Sequence, residues 1–301
     1  MTTRKKKEYS KKQSNDVRRQ KARPKIIESL PGQLEREFRL ALGKHNVHLN
    51  MLDMVTQSFA AILAHQPDES AYIRDCAKKM GFHSLYPNTS FASAQSYLLY
   101  SHIAYVISAG DMLCKRIRST DSMKALKRSD EEIFKELDEG DFVTRTVALI
   151  VLAMMLPEKR TVAAVKEAAK AVQLLPAFAV VNYYRIIRNE ELHAAGKAER
   201  TAVDVISALP VEGIRAQFKT VPQRMGKLSS EDALLCSKAW QSVAKWLCRH
   251  MISDTDGQAI VKKRFGNLDA ERRKIAAQKF MQLDLLYSQT EINAIIAEYK
   301  W

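Results

Sequence analysis

Apolar residues return at three- and four-residue steps through most of this chain. Leu34, Phe38, Leu42, Leu49, Leu52, Val55, Phe59 and Ile62 keep that rhythm across residues 33–65, with slack at Gly43. They predict one long helix or two joined ones. A shorter helix is expected over residues 70–80, before Gly81 and the segment YPNTS break the pattern. Residues 92–117, with the run SYLLYSHIAYVISAGDMLCKRI, predict a long and very apolar helix. SDEE at 129–132 puts a capping residue before acids of a first turn, and so starts a helix reaching about residue 137. After Gly140 a buried helix is expected to residue 156, where Pro157 closes it. Another spans 161–175, and Pro176 suits the first turn of the next. Residues 198–209 form a further helix ended by Pro210, and the stretch after it reads as looser. Ser229 or Ser230 caps a helix to about residue 251, with Trp240, Val243 and Leu247 on one face. Residues 258–301 hold two more. The chain has no alternating strand pattern, hairpin signal or internal repeat. The expectation is an all-α multi-helix bundle of about ten helices.

Composition sharpens that picture. Only 10 Gly and 8 Pro interrupt 301 residues, and 46% of the chain is hydrophobic, enough for a real core. The net charge of +14 suggests a polyanionic partner, most simply nucleic acid. That charge is unevenly spread. The first 25 residues carry eleven Lys or Arg, among them Lys5, Lys6, Lys7, Arg18 and Arg19, against Glu8 and Asp16. Eleven less two gives +9 of the +14, so the remainder of the chain holds only +5. Residues 1–30 therefore read as a basic tail, too poor in apolar residues to fold alone and without a secretory h-region. Beyond it, residues 31–85 read as an N-terminal helical segment, 86–210 as the helical core and 211–301 as a C-terminal helical segment.

Cys76, Cys114, Cys236 and Cys248 are far apart in sequence and form no CxxC pair, so they read as reduced thiols of a cytoplasmic protein. The most apolar run, VALIVLAMML at 147–156, is about half of a membrane span and reads as a buried core helix. No membrane partner is expected.

The chemistry concentrates in RNEELHAAG, residues 188–196, which follows the apolar and aromatic run 177–187. Two local readings are open. A new helix could start at Asn189, with Glu190 and Glu191 in its first turn and Arg188 and His193 flanking an anion-attracting helix start. Alternatively the helix runs through, and positions 189 and 193 share a face one turn apart. A guanidinium offers a fixed fork to phosphate oxygens, and an imidazole titrates near neutrality. The bland reading is a capped helix start with Arg188 and His193 merely solvated.

RNEELH resembles the RNxxxH motif of HEPN domains, all-α domains widespread in prokaryotic toxin–antitoxin and phage-defence systems, many of them RNases. The resemblance covers about residues 92–209 and rests on the motif, its late position in a helical bundle and the apolar helix near residue 100. It implies a HEPN-type bundle with additional N- and C-terminal helices, acting as a metal-independent endoribonuclease without cofactor. It also implies a homodimer in which two motifs face each other, and an antitoxin or defence-system partner. Under it Arg188 holds the scissile phosphate, His193 handles the proton of the 2′-OH or the leaving oxygen, and Asn189 positions the phosphate or its two neighbours. Products would carry a 2′,3′-cyclic phosphate or its opened form. Members that keep the fold without turnover leave a second expectation: a non-catalytic helical module that binds RNA or protein. A third is a helical subunit of a larger assembly with no RNA contact.

Other residues complete the picture. Asp111 is the only acid in the apolar stretch 97–114 and could meet Arg188 or His193 across the bundle. His102 on the same stretch reads as a core histidine. His45 and His48 lack the carboxylate that would complete a metal site. Lys262, Lys263 and Arg264 in VKKRFG form a basic patch suited to an RNA backbone. Trp240 and Trp246, with Lys238, Lys245 and Arg249, could form an aromatic, basic surface, although Trp240 and Leu247 fit a shared core face better. The chain has no P-loop, GxGxxG, GxSxG or catalytic-cysteine setting.

Overall fold

Capping residues set where most helices begin. In the computed structural model, which describes residues 30–82, 90–193 and 202–299, without side chains at 192, 193, 298 and 299, the expected all-α architecture is present. The described residues hold fourteen α-helices, one short 3-10 turn and no strand. The first helix, α1 (Pro31–Leu63), runs straight past Gly43 as one element. Asp68 caps α2 (Glu69–Lys79) and Ser90 caps α3 (Phe91–Arg118), each accepting from a backbone N–H three residues on.

Next come α4 (Asp121–Ser129) and α5 (Glu131–Leu137), meeting at Asp130. The SDEE segment thus ends one helix and starts another, where the sequence pattern predicts only the second. α4 buries only Met123, so its apolar signal is too sparse to read. Asp141 then caps α6 (Phe142–Met154), accepting from Val143 N at 2.8 Å and Thr144 N at 3.0 Å. Such a cap is worth about 1 kcal/mol. The turn Pro157–Lys159 leads to α7 (Val162–Gln173), capped by Thr161, and to α8 (Pro176–His193).

After α9 (Ala202–Ser207), a helix α10 (Val211–Phe218) occupies the stretch expected to be loose. It hides in the sequence because it buries only Ile214 and contains Gly213. That glycine is there for contact: a Cβ at 213 would lie 2.9 Å from Pro176 Cγ, at the first turn of α8. Lys219, at φ 65°, ends α10 in the left-handed region. A capping box of Ser229 and Asp232 opens α11 (Ser230–His250). Three helices follow instead of two: α12 (Asp254–Phe265), α13 (Ala270–Leu283) and α14 (Gln289–Tyr299).

α11 is the central element and packs against α1, α3 and α8, while α6 packs against α3 and α7. Trp240 and Leu247 are fully buried on α11, and Val147, Ile150 and Leu152 on α6. Apolar side chains from all three sequence segments beyond the tail, 31–85, 86–210 and 211–301, enter one core. One close approach is where α3 crosses α11. A Cβ on Gly110 would lie 2.2 Å from the Trp240 ring, so only glycine fits there. Residue 111, the next on α3, is thereby set against the neighbouring α8.

No helix among the described residues is long and apolar enough to cross a membrane. Residues 1–29, and with them Lys5, Lys6, Lys7, Arg18 and Arg19, lie outside the described residues.

Candidate functional site

α8 runs unbroken through the motif, from Pro176 to His193. The second local reading of the sequence therefore holds: Asn189 is inside a helix and caps nothing. The buried face of α8 includes Ala177, Val180, Val181, Tyr183, Tyr184 and Ile187, and it fixes the rotation of the helix. Tyr184 is tied down further. Its hydroxyl donates to the buried Asp232 carboxylate at 2.8 Å, and Asp232 also accepts from the backbone of Gln223 and Ser229. A buried carboxylate satisfied this fully anchors α8 to α11 and to the connection before it.

That rotation puts Arg188 and Asn189 at the edge of the core. Arg188 donates from Nε at 3.1 Å and Nη2 at 2.8 Å to Asn189 Oδ1. Its Nη1 lies 3.6 Å from Asp111 Oδ2 on α3. The structure brings Arg188, Asn189 and Asp111 into one cluster. A guanidinium carries five N–H groups. Two go to Asn189 and one points toward Asp111, which among the described residues leaves one on each terminal nitrogen for another acceptor. His193 is the last residue of α8, one turn beyond Asn189, and its side chain lies outside the described residues. Glu190 faces the following helix and accepts from Ala202 N at 2.6 Å.

A second guanidinium, not singled out from the sequence, sits one turn earlier. Arg185 pairs with Asp141, the cap of α6, and donates to Asn182 Oδ1 at 2.7 Å. The i,i+3 spacing of Arg185 and Arg188 was available as a signal. The role of Asp141 as partner was not, because it depends on how α6 meets α8. The two acids respond differently. Burial raises the Asp111 carboxyl, and Arg188 only partly offsets it. Burial also works to raise Asp141, but Arg185 and the hydrogen bonds of Thr144 and Val143 overcome it and hold that carboxyl below the usual range. Arg185–Asp141 is thus the tighter pair, and Arg188–Asp111 the looser one.

The remaining candidates lie elsewhere. Lys262, Lys263 and Arg264 are exposed on the last turn of α12, where Arg264 stacks over the Phe280 ring of α13 at 4.7 Å. Trp246, Lys245, Arg249 and His250 line a cleft of about 760 Å³ with Arg36, Arg39 and Glu291. Its arginines are already engaged: Arg249 with Asp254 at 2.8 Å and Glu291 at 2.5 Å, and Arg36 with Asp284 at 3.1 Å. Trp240 is not part of that surface, being core. His102 is buried as expected and stacks on His45 at 4.2 Å, which in turn stacks on Tyr105 at 3.8 Å. No cluster of three or more His, Cys, Asp or Glu side chains suited to a metal occurs among the described residues. Cys114, Cys236 and Cys248 are buried free thiols, and burial pushes Cys114 up to about 12.

No protein-family model matches the chain, and no curated protein or solved structure matches it.

Proposed function

We propose that this protein is a metal-independent endoribonuclease of HEPN type, with Arg188, Asn189 and His193 as its working residues. The observation that carries the reading is the Arg188–Asn189–Asp111 cluster. A guanidinium on the motif helix is held by two neighbours while two N–H groups stay available. In the proposed reaction those groups take two oxygens of the scissile phosphate. Removal of the 2′-OH proton lets that oxygen attack phosphorus as the 5′-oxygen leaves, giving a 2′,3′-cyclic phosphate and a 5′-hydroxyl. The charge that builds on the phosphoryl oxygens is met by Arg188, whose fork suits them geometrically. His193 serves as the acid or base for one of the two proton transfers. A homodimer would bring a second motif to supply the other. The biological setting that goes with this reading is a toxin or phage-defence effector with RNA as substrate.

Cleavage of a mixed-sequence RNA by the full chain tests it. Wild type should release cyclic-phosphate ends with or without EDTA. His193→Ala should reduce the rate by about 10²–10⁴-fold while RNA affinity stays within a few-fold. Cleavage that stops in chelator, or survives His193→Ala, overturns the proposal.

The alternative is a non-catalytic module that holds RNA or a protein through the basic tail. The aromatic and basic cleft beside Trp246 favours it less than expected from sequence, since Arg36, Arg39 and Arg249 already face carboxylates. RNA binding without any cleavage would select it.

A further inference from the structure

α1 is apolar on two opposite sides. Leu34, Phe38, Leu42, Leu49 and Leu63 face inward and are buried. Leu40, Val47, Met51, Met54, Val55 and Ile62 are each between 46% and 65% exposed. At 100° per residue, the second set falls in a stripe about 100° wide, centred about 150° from the first. A stripe of that width is what a helix ordinarily turns toward a core. Charge around it is sparse. From residue 40 to 63, Lys44 and Asp53 are the only Asp, Glu, Lys or Arg. An ordinary surface helix carries a charge at about every third or fourth position.

We propose that this stripe is a self-association seam, on which α1 packs antiparallel against α1 of a second copy with the two-fold axis at Met51. Two observations choose a second copy. The stripe is nearly symmetric about Met51: an axis there sets Leu40 against Ile62, Val47 against Val55, Lys44 against Ser58 and Met51 against itself. A two-fold interface requires that reciprocity, in which residue i meets j and j meets i. The second observation is area. Six large side chains about half exposed offer on the order of 500 Å² of apolar surface, near the upper limit for a monomer's largest patch. With the flanking Ala41, His48 and Ser58, this approaches the roughly 800 Å² that each partner brings to a standard interface. The positions 40, 44, 47, 51, 54 and 58 also keep the 4-3-4-3-4 spacing of a coiled-coil seam. The ribonuclease reading also calls for a homodimer, so dimer mass alone does not separate the two; Met51→Glu and the cross-links at α1 decide this inference, and cleavage does not.

The test uses the full chain. Sedimentation equilibrium should give twice the 34.2 kDa protomer mass at micromolar concentration. Met51→Glu sets two carboxylates on the axis and should weaken the dimer by about 100-fold or more. Its helical circular dichroism should be unchanged, since Met51 is exposed. A second arm needs no loss of stability. In a Cys76→Ser background, where the other three cysteines are buried, Met51→Cys should form a disulfide-linked dimer on mild oxidation. Val47→Cys alone should not, because its partner is Val55. A wild-type monomer at about 100 µM, where an interface of this size is filled, overturns the proposal. So does a dimer that survives Met51→Glu. Equal cross-linking at Val47, Met51 and Met54 overturns the antiparallel arrangement in favour of a parallel one.

Discussion

Arg188 on α8 reaches across to Asp111 on α3, its Nη1 3.6 Å from the carboxylate, with the two side chains 19% and 18% exposed. At that separation and burial, the pair is a loose ionic contact in a region of reduced dielectric, where burial works against the Asp111 charge. A double-mutant cycle of Asp111→Asn and Arg188→Gln should therefore give a coupling energy of about 0.5–2 kcal/mol in urea unfolding. Arg188→Gln should lose more than the coupling, since it leaves the Asp111 charge partly buried without its partner, whereas Asp111→Asn should lose less, because burial already works against that charge. A coupling of zero would make the contact proximity without energy.

The same geometry bears on lysine substitution. Lysine keeps the charge but cannot bind Asn189 Oδ1 through two nitrogens while offering two more donors. Arg188→Lys should retain the fold and fall at least about tenfold in RNA cleavage, because the phosphate loses its bidentate partner. Full cleavage by the lysine variant would reduce Arg188 to a source of positive charge.

Gly110 controls where Asp111 stands. A methyl group there would lie 2.2 Å from the Trp240 ring, which is fully buried and has no room to retreat. Gly110→Ala should destabilise the chain by about 1–3 kcal/mol despite the better helix propensity of alanine. The change should also appear in the fluorescence of the tryptophans. A neutral or stabilising alanine would show that α3 and α11 can slide apart freely.

What the sequence reveals and what it hides divide along physical lines. Long helices with wide apolar faces, α1, α3, α6, α8 and α11, are readable because periodicity is a local property. α4 and α10 are not, since each buries a single large side chain and owes its stability to neighbours. Gly213 and Gly110 look like weak points in a helix, yet both mark close contacts that only tertiary structure creates. The RNEELH segment offered two local conformations, and the choice was made by tertiary anchoring: Tyr184 and Ile187 pull α8 through the position where a cap was possible. Asp111 stood out as a lone acid in an apolar run. Its partner could not be chosen between Arg188 and His193 until α3 and α8 were set side by side. Arg185–Asp141 escaped notice because the pairing depends on how α6 meets α8, where Asp141 serves as both cap and counter-ion.

The stacked His45–His102 pair makes the fold sensitive to acid. Burial, followed by the neighbouring His45, lowers His102 from 6.5 to about 4. His45 is lowered as well, chiefly by burial and then by His48. With His102 depressed in the folded state, the unfolded chain binds the extra proton between about pH 6.5 and 4. Stability is therefore full above pH 6.5 and falls as pH drops through that window, by up to about 1.4 kcal/mol per pH unit for one such proton. His102→Phe keeps an aromatic ring against His45 and removes the titration. The variant should lose less melting temperature between pH 7 and pH 4.5 than wild type does. Equal losses would place the acid sensitivity elsewhere in the molecule.

The basic tail supplies the last prediction. Residues 1–25 hold +9 of the chain's +14, so the remainder, at +5, has little long-range attraction for a polyanion. If the tail neutralises phosphates, its deletion should flatten the salt dependence of RNA binding. Each lost contact on a single strand takes about 0.7 off the slope of log K against log salt. Eleven basic residues set the ceiling, and only some of them need meet a phosphate at once, so a slope change of about 2–5 is expected. Cleavage should persist at high protein concentration, because Arg188 and Asn189 are held by contacts among α3, α8 and α11. Filter binding between 50 and 200 mM salt, with cleavage measured at saturating protein, separates the two effects. An unchanged slope would assign the tail to a protein partner or to solubility. Cleavage lost at saturation would instead make the tail part of the site that cuts.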